Sequence, residues 1–176
     1  DKTATALKPK YRCLVWACPA HYYTNFTYWT QHCWGVTCVN DMEAMLSYLP
    51  ISTDNKDQAL ADLVRCYERM MMRSHTNGGY VNLLDECWKM CEKFNVNIVI
   101  MYDHVSCKNV GGLHGLFEDQ ARERGIHLIW IPHDVMDPRT VSRREMREAF
   151  NQYMTTVLRE EPLDPTLLDY EDNLSW

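Results

Sequence analysis

Two short strings constrain this chain more than anything else in it. Residues 96–102 (VNIVIMY) and 127–131 (HLIWI) are almost continuously apolar. A strand with one solvated face alternates apolar and polar residues, whereas a strand covered on both faces does not. Strands covered on both faces belong to parallel sheets sandwiched between helices. Two further β-rich runs precede them, residues 11–17 (YRCLVWA) and 35–39 (GVTCV).

Helical patterns lie between and after these runs. Residues 57–73 place Leu60, Leu63, Val64, Tyr67, Met70 and Met71 on one stripe. Residues 81–94 do the same with Val81, Leu84, Trp88 and Cys91, and residues 113–124 with Leu113, Leu116 and Phe117. The clearest helix spans 142–159. It opens on an S-x-x-E capping box, Ser142 with Glu145, and continues with Met146, Phe150, Tyr153, Met154 and Val157 at helical spacing. Alternating strands and helices imply βαβ units. The expected fold is α/β: a doubly wound, mostly parallel four-stranded sheet with helices on both faces, Rossmann-like with flavodoxin-like strand order. Residues 40–56 read as a short helix and a loop. From 162 to 176 the chain becomes an acidic, proline-punctuated tail expected to wrap a surface or meet a partner.

The 176 residues fit one domain and can bury roughly 70% of the unfolded chain's surface without staples. No apolar run reaches the ~18 residues of a membrane span. A net charge of −6 makes nucleic acid a poor partner and gives no reason to expect an anionic membrane. The opening DKTATALKPK lacks an initiating Met and an apolar leader, so it reads as a mid-chain boundary. Two sequons, at Asn25 and Asn173, are read as chance. Eight cysteines suit either disulfides or reduced thiols; their places inside helix and strand patterns favour thiols.

Sites in open α/β sheets form beyond the carboxyl ends of the strands. Three such loops matter: 17–21 (ACPAH), 103–109 (DHVSCKN) and 132–134 (PHD). The middle loop is the richest. Cys107 stands beside Lys108 at the start of the next helix, a setting that favours a thiolate. Gly111 and Gly112 would let the backbone approach a ligand, and His104 could move a proton. A buried cysteine with no task explains Cys107 equally well. No C-x-x-C pair occurs; Cys13/Cys18 and Cys33/Cys38 are C-x4-C pairs, and Cys87/Cys91, at i and i+4, suit core packing better than metal. His133-Asp134 suits a polar turn at a strand end better than a metal or acid–base pair. The aromatic segment 21–34 (HYYTNFTYWTQHCW) suits an interface with another domain or subunit better than a pocket. Arg143 and Arg144 in a helix's first turn hint at an anionic partner, though a solvated face explains them more simply.

From His104 onward the chain resembles the C-terminal domain of the 2-hydroxyacyl-CoA dehydratase / benzoyl-CoA reductase family. The resemblance rests on H-x-x-C-K (His104, Cys107, Lys108), a helix leading to Gly125-Ile126, then Asp134, the Asp137–Arg139 turn and Ala149-Phe150. It covers most of the chain, and its specific part is the last third. It implies that residues 1–161 are the Rossmann-like C-terminal domain of a longer, cytoplasmic subunit that pairs with a homologous second subunit in a heterodimer. It further implies a [4Fe–4S] cluster held by three cysteines, with Cys107 as the ligand in this domain and the others outside this chain. An ATP-dependent iron–sulfur activator would supply a low-potential electron. The cluster would pass it to an acyl-CoA thioester, giving a ketyl radical, in an anaerobic reductase or dehydratase. Lys108 would steady the thiolate or a CoA phosphate.

The chain departs from the family at Cys18-Pro19, where relatives have Gly-x-Pro; Cys18 thereby becomes a second thiol near the site. The long tail and the aromatic segment lean toward benzoyl-CoA reduction over 2-hydroxyacyl-CoA dehydration. Two other readings stand beside the enzyme: a non-catalytic structural partner subunit, and a flavodoxin-like binding module, which the missing Gly-rich first loop disfavours.

Overall fold

In a computed structural model, which describes residues 9–43 and 49–169, four strands form one all-parallel sheet. They are β1 (Tyr11–Trp16), β2 (Val36–Asp41), β3 (Ile98–His104) and β4 (His127–His133), in the order β2-β1-β3-β4. The helices are α1 (Phe26–Trp34), α2 (Lys56–Glu68), α3 (Met71–Phe94), α4 (Lys108–Gly111), α5 (His114–Arg124) and α6 (Arg143–Thr156), followed by a 3-10 turn at Pro165–Leu167. The doubly wound α/β fold expected from the sequence is the one observed.

The two apolar strings are the neighbouring strands β3, which is central, and β4, which is an outer strand. Residues 98–102 of β3 are all buried, and each residue of β3 pairs in register with β4, from Ile98 opposite His127 to His104 opposite His133. β2 is the other edge strand; its register with β1 slips between Cys13 and Leu14, a bulge of the kind that twists sheet edges away from further pairing.

Helices cover both faces. On one, Phe150 of α6 meets Phe26 and Trp29 of α1 edge-on at 5.8 and 5.6 Å, and Phe26 meets Tyr102 of β3. On the other, Trp88 of α3 packs on Phe117 of α5 at 5.8 Å, and Phe117 in turn meets Trp130 of β4. The capping box of α6 is present in both directions, Ser142 Oγ accepting from the Glu145 amide and the Glu145 carboxylate from Ser142.

Four expectations are corrected. Most of the aromatic segment 21–34 is core, with Tyr22, Tyr23, Phe26, Trp29 and Trp34 buried and Tyr28 left exposed. Phe26, Trp29, Thr30, Cys33 and Trp34 recur at helical spacing, a period masked by the aromatic residues between them. Gly35 does not begin a strand; it caps α1 at φ 71°, where a Cβ would also meet Leu163 and Lys10. The helix expected over 57–73 ends at Glu68, and the next begins at Met71 and runs to Phe94 with a break at Gly79, whose φ of 74° and ψ of 179° no helix accommodates. Finally, the apolar stripe of α2 is not buried: Leu60, Leu63, Val64 and Tyr67 are all exposed. Of the short helix and loop expected over 40–56, residues 40 and 41 belong to β2 and residues 44–48 lie outside the described residues.

Past α6, the Leu163 amide donates to the Cys33 carbonyl at 2.7 Å, and Trp29 Nε1 donates to the Leu167 carbonyl at 2.8 Å, laying residues 163–168 along α1. Lys10 pairs with Glu160, and Tyr11 Oη donates to the same carboxylate at 2.6 Å. No helix among the described residues is long and apolar enough to cross a membrane.

Candidate functional site

The carboxyl ends of β1, β3 and β4 surround a cavity of about 250 Å³. Its position follows from the fold, because β1 and β3 are where the strand order reverses and their following loops diverge. Backbone hydrogen bonds fix the rim. The Val105 amide donates to the His133 carbonyl at 3.0 Å, and the His21 amide to the Val135 carbonyl at 2.8 Å. Met42, Leu83, Met101, Val110 and Phe117 make the walls mostly apolar.

The polar side chains lining this space are Cys18, His75, Thr76, Tyr102, His104, Cys107, Asn109 and His133. His104 is oriented by Ser106, whose amide and hydroxyl lie 3.1 and 2.9 Å from Nδ1. With Nδ1 accepting from the amide, the neutral ring carries its proton on Nε2. The His133 ring stands perpendicular to it at 5.4 Å. His133 is wholly buried, and neither ring nitrogen has a well-formed hydrogen bond. Burial, then the charge of His104, lowers its pKa; nearby backbone carbonyls offset this only in part. His75, beside Trp16 at 5.4 Å, is brought down to about 4 by burial. Two neutral imidazoles therefore line an apolar space. They can hydrogen-bond a carbonyl or hydroxyl but do not attract an anion into the cavity.

Cys107 is half-buried, donates its amide to the His104 carbonyl at 2.9 Å and opens the single-turn helix α4. Lys108, Gly111 and Gly112 are exposed on that turn and do not line the cavity. A Cβ on Gly112 would meet the Lys108 carbonyl at 3.0 Å, so the turn itself asks for a small residue there. Thus the fold brings His104 and Cys107 to one cavity and leaves Lys108, Gly111 and Gly112 at its outer margin.

Cys18 joins the same lining from the β1 loop. Ala17 before it sits at φ 65°, a left-handed conformation costly for a residue with a Cβ. Burial, then the neighbouring Glu43 carboxylate, pushes the Cys18 thiol to about 12. The remaining motifs resolve simply. All eight cysteines are free, and Cys87 and Cys91 are core. Cys13 of one C-x4-C pair lies opposite Cys38 of the other across β1 and β2, and Cys38 Sγ donates to the Asn40 carbonyl at 3.2 Å. Asp134 is a turn former, accepting from the Met136 and Asp137 amides at 2.8 Å each. Arg143 Nε donates to the Tyr22 carbonyl at 2.9 Å, and Arg144 pairs with Glu148 at 2.9 Å and with Asp169 at 3.9 Å.

Sequence reasoning missed His75 and the inward face of His133. His75 lies on a helix far from the strand-end loops, and only the chain's return over β1 brings it there. His133 was legible as the last residue of an apolar strand, a place where alternation points a side chain into the core.

The family model for 2-hydroxyglutaryl-CoA dehydratase, D-component, matches residues 1–154. The chain belongs to this family. The match spans the whole sheet, the cavity and most of α6, and includes the H-x-x-C-K loop. The D-component family is named for one part of an enzyme acting on an acyl-CoA thioester, so this chain is a dehydratase-type component. No curated protein matches the chain.

Proposed function

We propose that this chain forms the cavity-bearing domain of a 2-hydroxyacyl-CoA dehydratase-type subunit, in which Cys107 supplies one thiolate to a [4Fe–4S] cluster. The observation that carries the proposal is the meeting of Cys107 and His104 on one apolar cavity at the strand ends. The donor set suits such a group in part. Cys107 is free, half-buried and beside apolar walls, while only Cys18 offers a second thiol in the lining. The other ligands would come from outside residues 1–176. When bound, the cluster supplies a one-electron donor and an iron able to polarise a thioester carbonyl.

The chain's own residues would do the rest. At about 250 Å³ the cavity is smaller than the ~300–1,000 Å³ of sites for drug-sized ligands, so it suits a short acyl group with the CoA nucleotide outside. Its walls exclude water. His104, fixed by Ser106, holds a proton at Nε2 for a departing hydroxyl or an enolate-like oxygen. Neutral His133 and His75 keep net charge off the wall. Lys108, exposed near the mouth, would meet a CoA phosphate, and the Gly111-Gly112 turn leaves room beside it. A homologous second subunit and an ATP-dependent iron–sulfur activator would complete the complex.

Between dehydration and benzoyl-ring reduction, we favour dehydration. The family matched is named for it, and the aromatic segment that leaned toward a benzoyl ring is mostly buried core. The test is iron and acid-labile sulfide on the full-length subunit with its partner, purified without oxygen. About four irons per subunit are expected, lost in Cys107→Ala together with turnover of a 2-hydroxyacyl-CoA. Iron retained at wild-type stoichiometry in that variant would overturn the assignment.

A further inference from the structure

Outside the Cys107 loop, three unlike side chains converge at the carboxyl ends of β1 and β2. Cys18 and His21 come from the loop after β1, spaced C-x2-H, and Glu43 from the residues after β2. One ligand atom from each lies within 4.8 Å of the others. Cys18 Sγ is 3.9 Å from His21 Nε2, and His21 Nε2 is 3.8 Å from Glu43 Oε2.

These distances are too long for good hydrogen bonds and close to those a metal would impose. Around tetrahedral Zn²⁺, bonds of about 2.3 Å to sulfur and about 2.0 Å to nitrogen or oxygen put ligand atoms roughly 3.3–3.6 Å apart. Along these two distances a contraction of about 0.3–0.5 Å reaches that spacing, and the third pair of ligand atoms already lies within 4.8 Å. The His21 side chain is about half exposed and Glu43 about a third, so an ion has an entry path. The loop is held from behind by the His21 amide's bond to Val135. Thiolate, imidazole and carboxylate together form a borderline-soft set that suits Zn²⁺ better than Mg²⁺ or Ca²⁺.

We infer that Cys18, His21 and Glu43 form a mononuclear Zn²⁺ site with a fourth position left for water or a ligand. Binding replaces the thiol proton of Cys18 with the metal and releases that proton to solvent. The ion ties the first two strand-end loops together at the cavity's rim, since Cys18 also lines the cavity. The iron–sulfur proposal rests on Cys107, which this site does not use, so either can fail alone.

The experiment uses the full-length protein, incubated with Zn²⁺ alone and freed of loose metal by a weak chelator. Zinc-edge X-ray absorption should show one sulfur at ~2.3 Å with nitrogen and oxygen at ~2.0 Å. Cys18→Ser, His21→Ala and Glu43→Gln should each weaken zinc binding by at least the ~10–100-fold that even an outer partner of a metal ligand is worth. Cys107→Ser should leave it unchanged. His21 and Glu43 are exposed enough that their variants keep the fold, which circular dichroism checks. No tightly held zinc, a spectrum with two or more sulfurs, or binding that survives all three substitutions would overturn the inference. So would zinc lost with Cys107.

Discussion

Helices α6 and α2 are amphipathic in the same way by sequence and end in opposite situations. Each begins with a polar residue that accepts a backbone amide of its first turn: Ser142 from Glu145, and Asn55 from Gln58 at 2.8 Å. Each carries an apolar stripe at helical spacing. On α6 the stripe disappears against β4 and α1, with Met146, Phe150 and Met154 fully buried. On α2 the stripe stays open, Leu60, Leu63, Val64 and Tyr67 being 41–61% exposed. The one buried side chain of α2 is Asp62, which accepts from the Ser52 amide, Gln58 and Arg65. Periodicity thus marks a face that gains by being covered. It does not say that a neighbouring surface exists to cover it.

Mutation distinguishes the two helices. The largest effect should come from Phe150→Ala, which empties the junction of α6 with α1; ~3–5 kcal/mol of stability should be lost in urea denaturation. A loss below 1 kcal/mol would mean that α6 is not docked as described. Next is acid stability at the cavity wall. His75 is held neutral down to about 4, while the unfolded chain protonates it near 6.5. In that window the unfolded state binds the extra proton, so stability falls as pH drops from 6.5 toward 4 and the loss levels off below. His75→Phe should flatten that part of the pH profile; an unchanged profile would argue against burial of His75.

Capping comes third. Ser142→Ala should lower global stability by about 1 kcal/mol. Asn55→Ala should appear instead as faster amide exchange confined to α2, because little tertiary packing couples that helix to the core. Equal global losses would erase the contrast between the two helices. The smallest effect belongs to Val64→Ala, at most ~0.5 kcal/mol. A loss like that of Phe150→Ala would show that the α2 stripe is covered in solution.

How far the site could be read in advance follows the same division. Cys107 and His104 were legible because a loop after a buried parallel strand must open at the sheet's carboxyl edge, whatever else the chain does. Lys108, Gly111 and Gly112 were reached by adjacency to Cys107, but a single helical turn rotates successive residues away from one another, and these three face out. His75 was invisible because its sequence neighbours say only that it is helical. The aromatic run at 21–34 misled because composition was more conspicuous than spacing; counted at helical period, it describes the buried face of α1.

The sequence alone determined the four strands, their parallel covering by helices and the cap of α6. These depend on contacts between near neighbours and on which residues avoid water, and both are written locally. Tertiary structure decided the rest. It set the burial of the aromatic helix, the exposure of α2 and the break at Gly79. It also brought His75, His133 and Cys18 together around one cavity, and set His21 and Glu43 beside Cys18. Those outcomes depend on which surfaces meet once the sheet has formed, and residues distant along the chain have no local signal for that meeting.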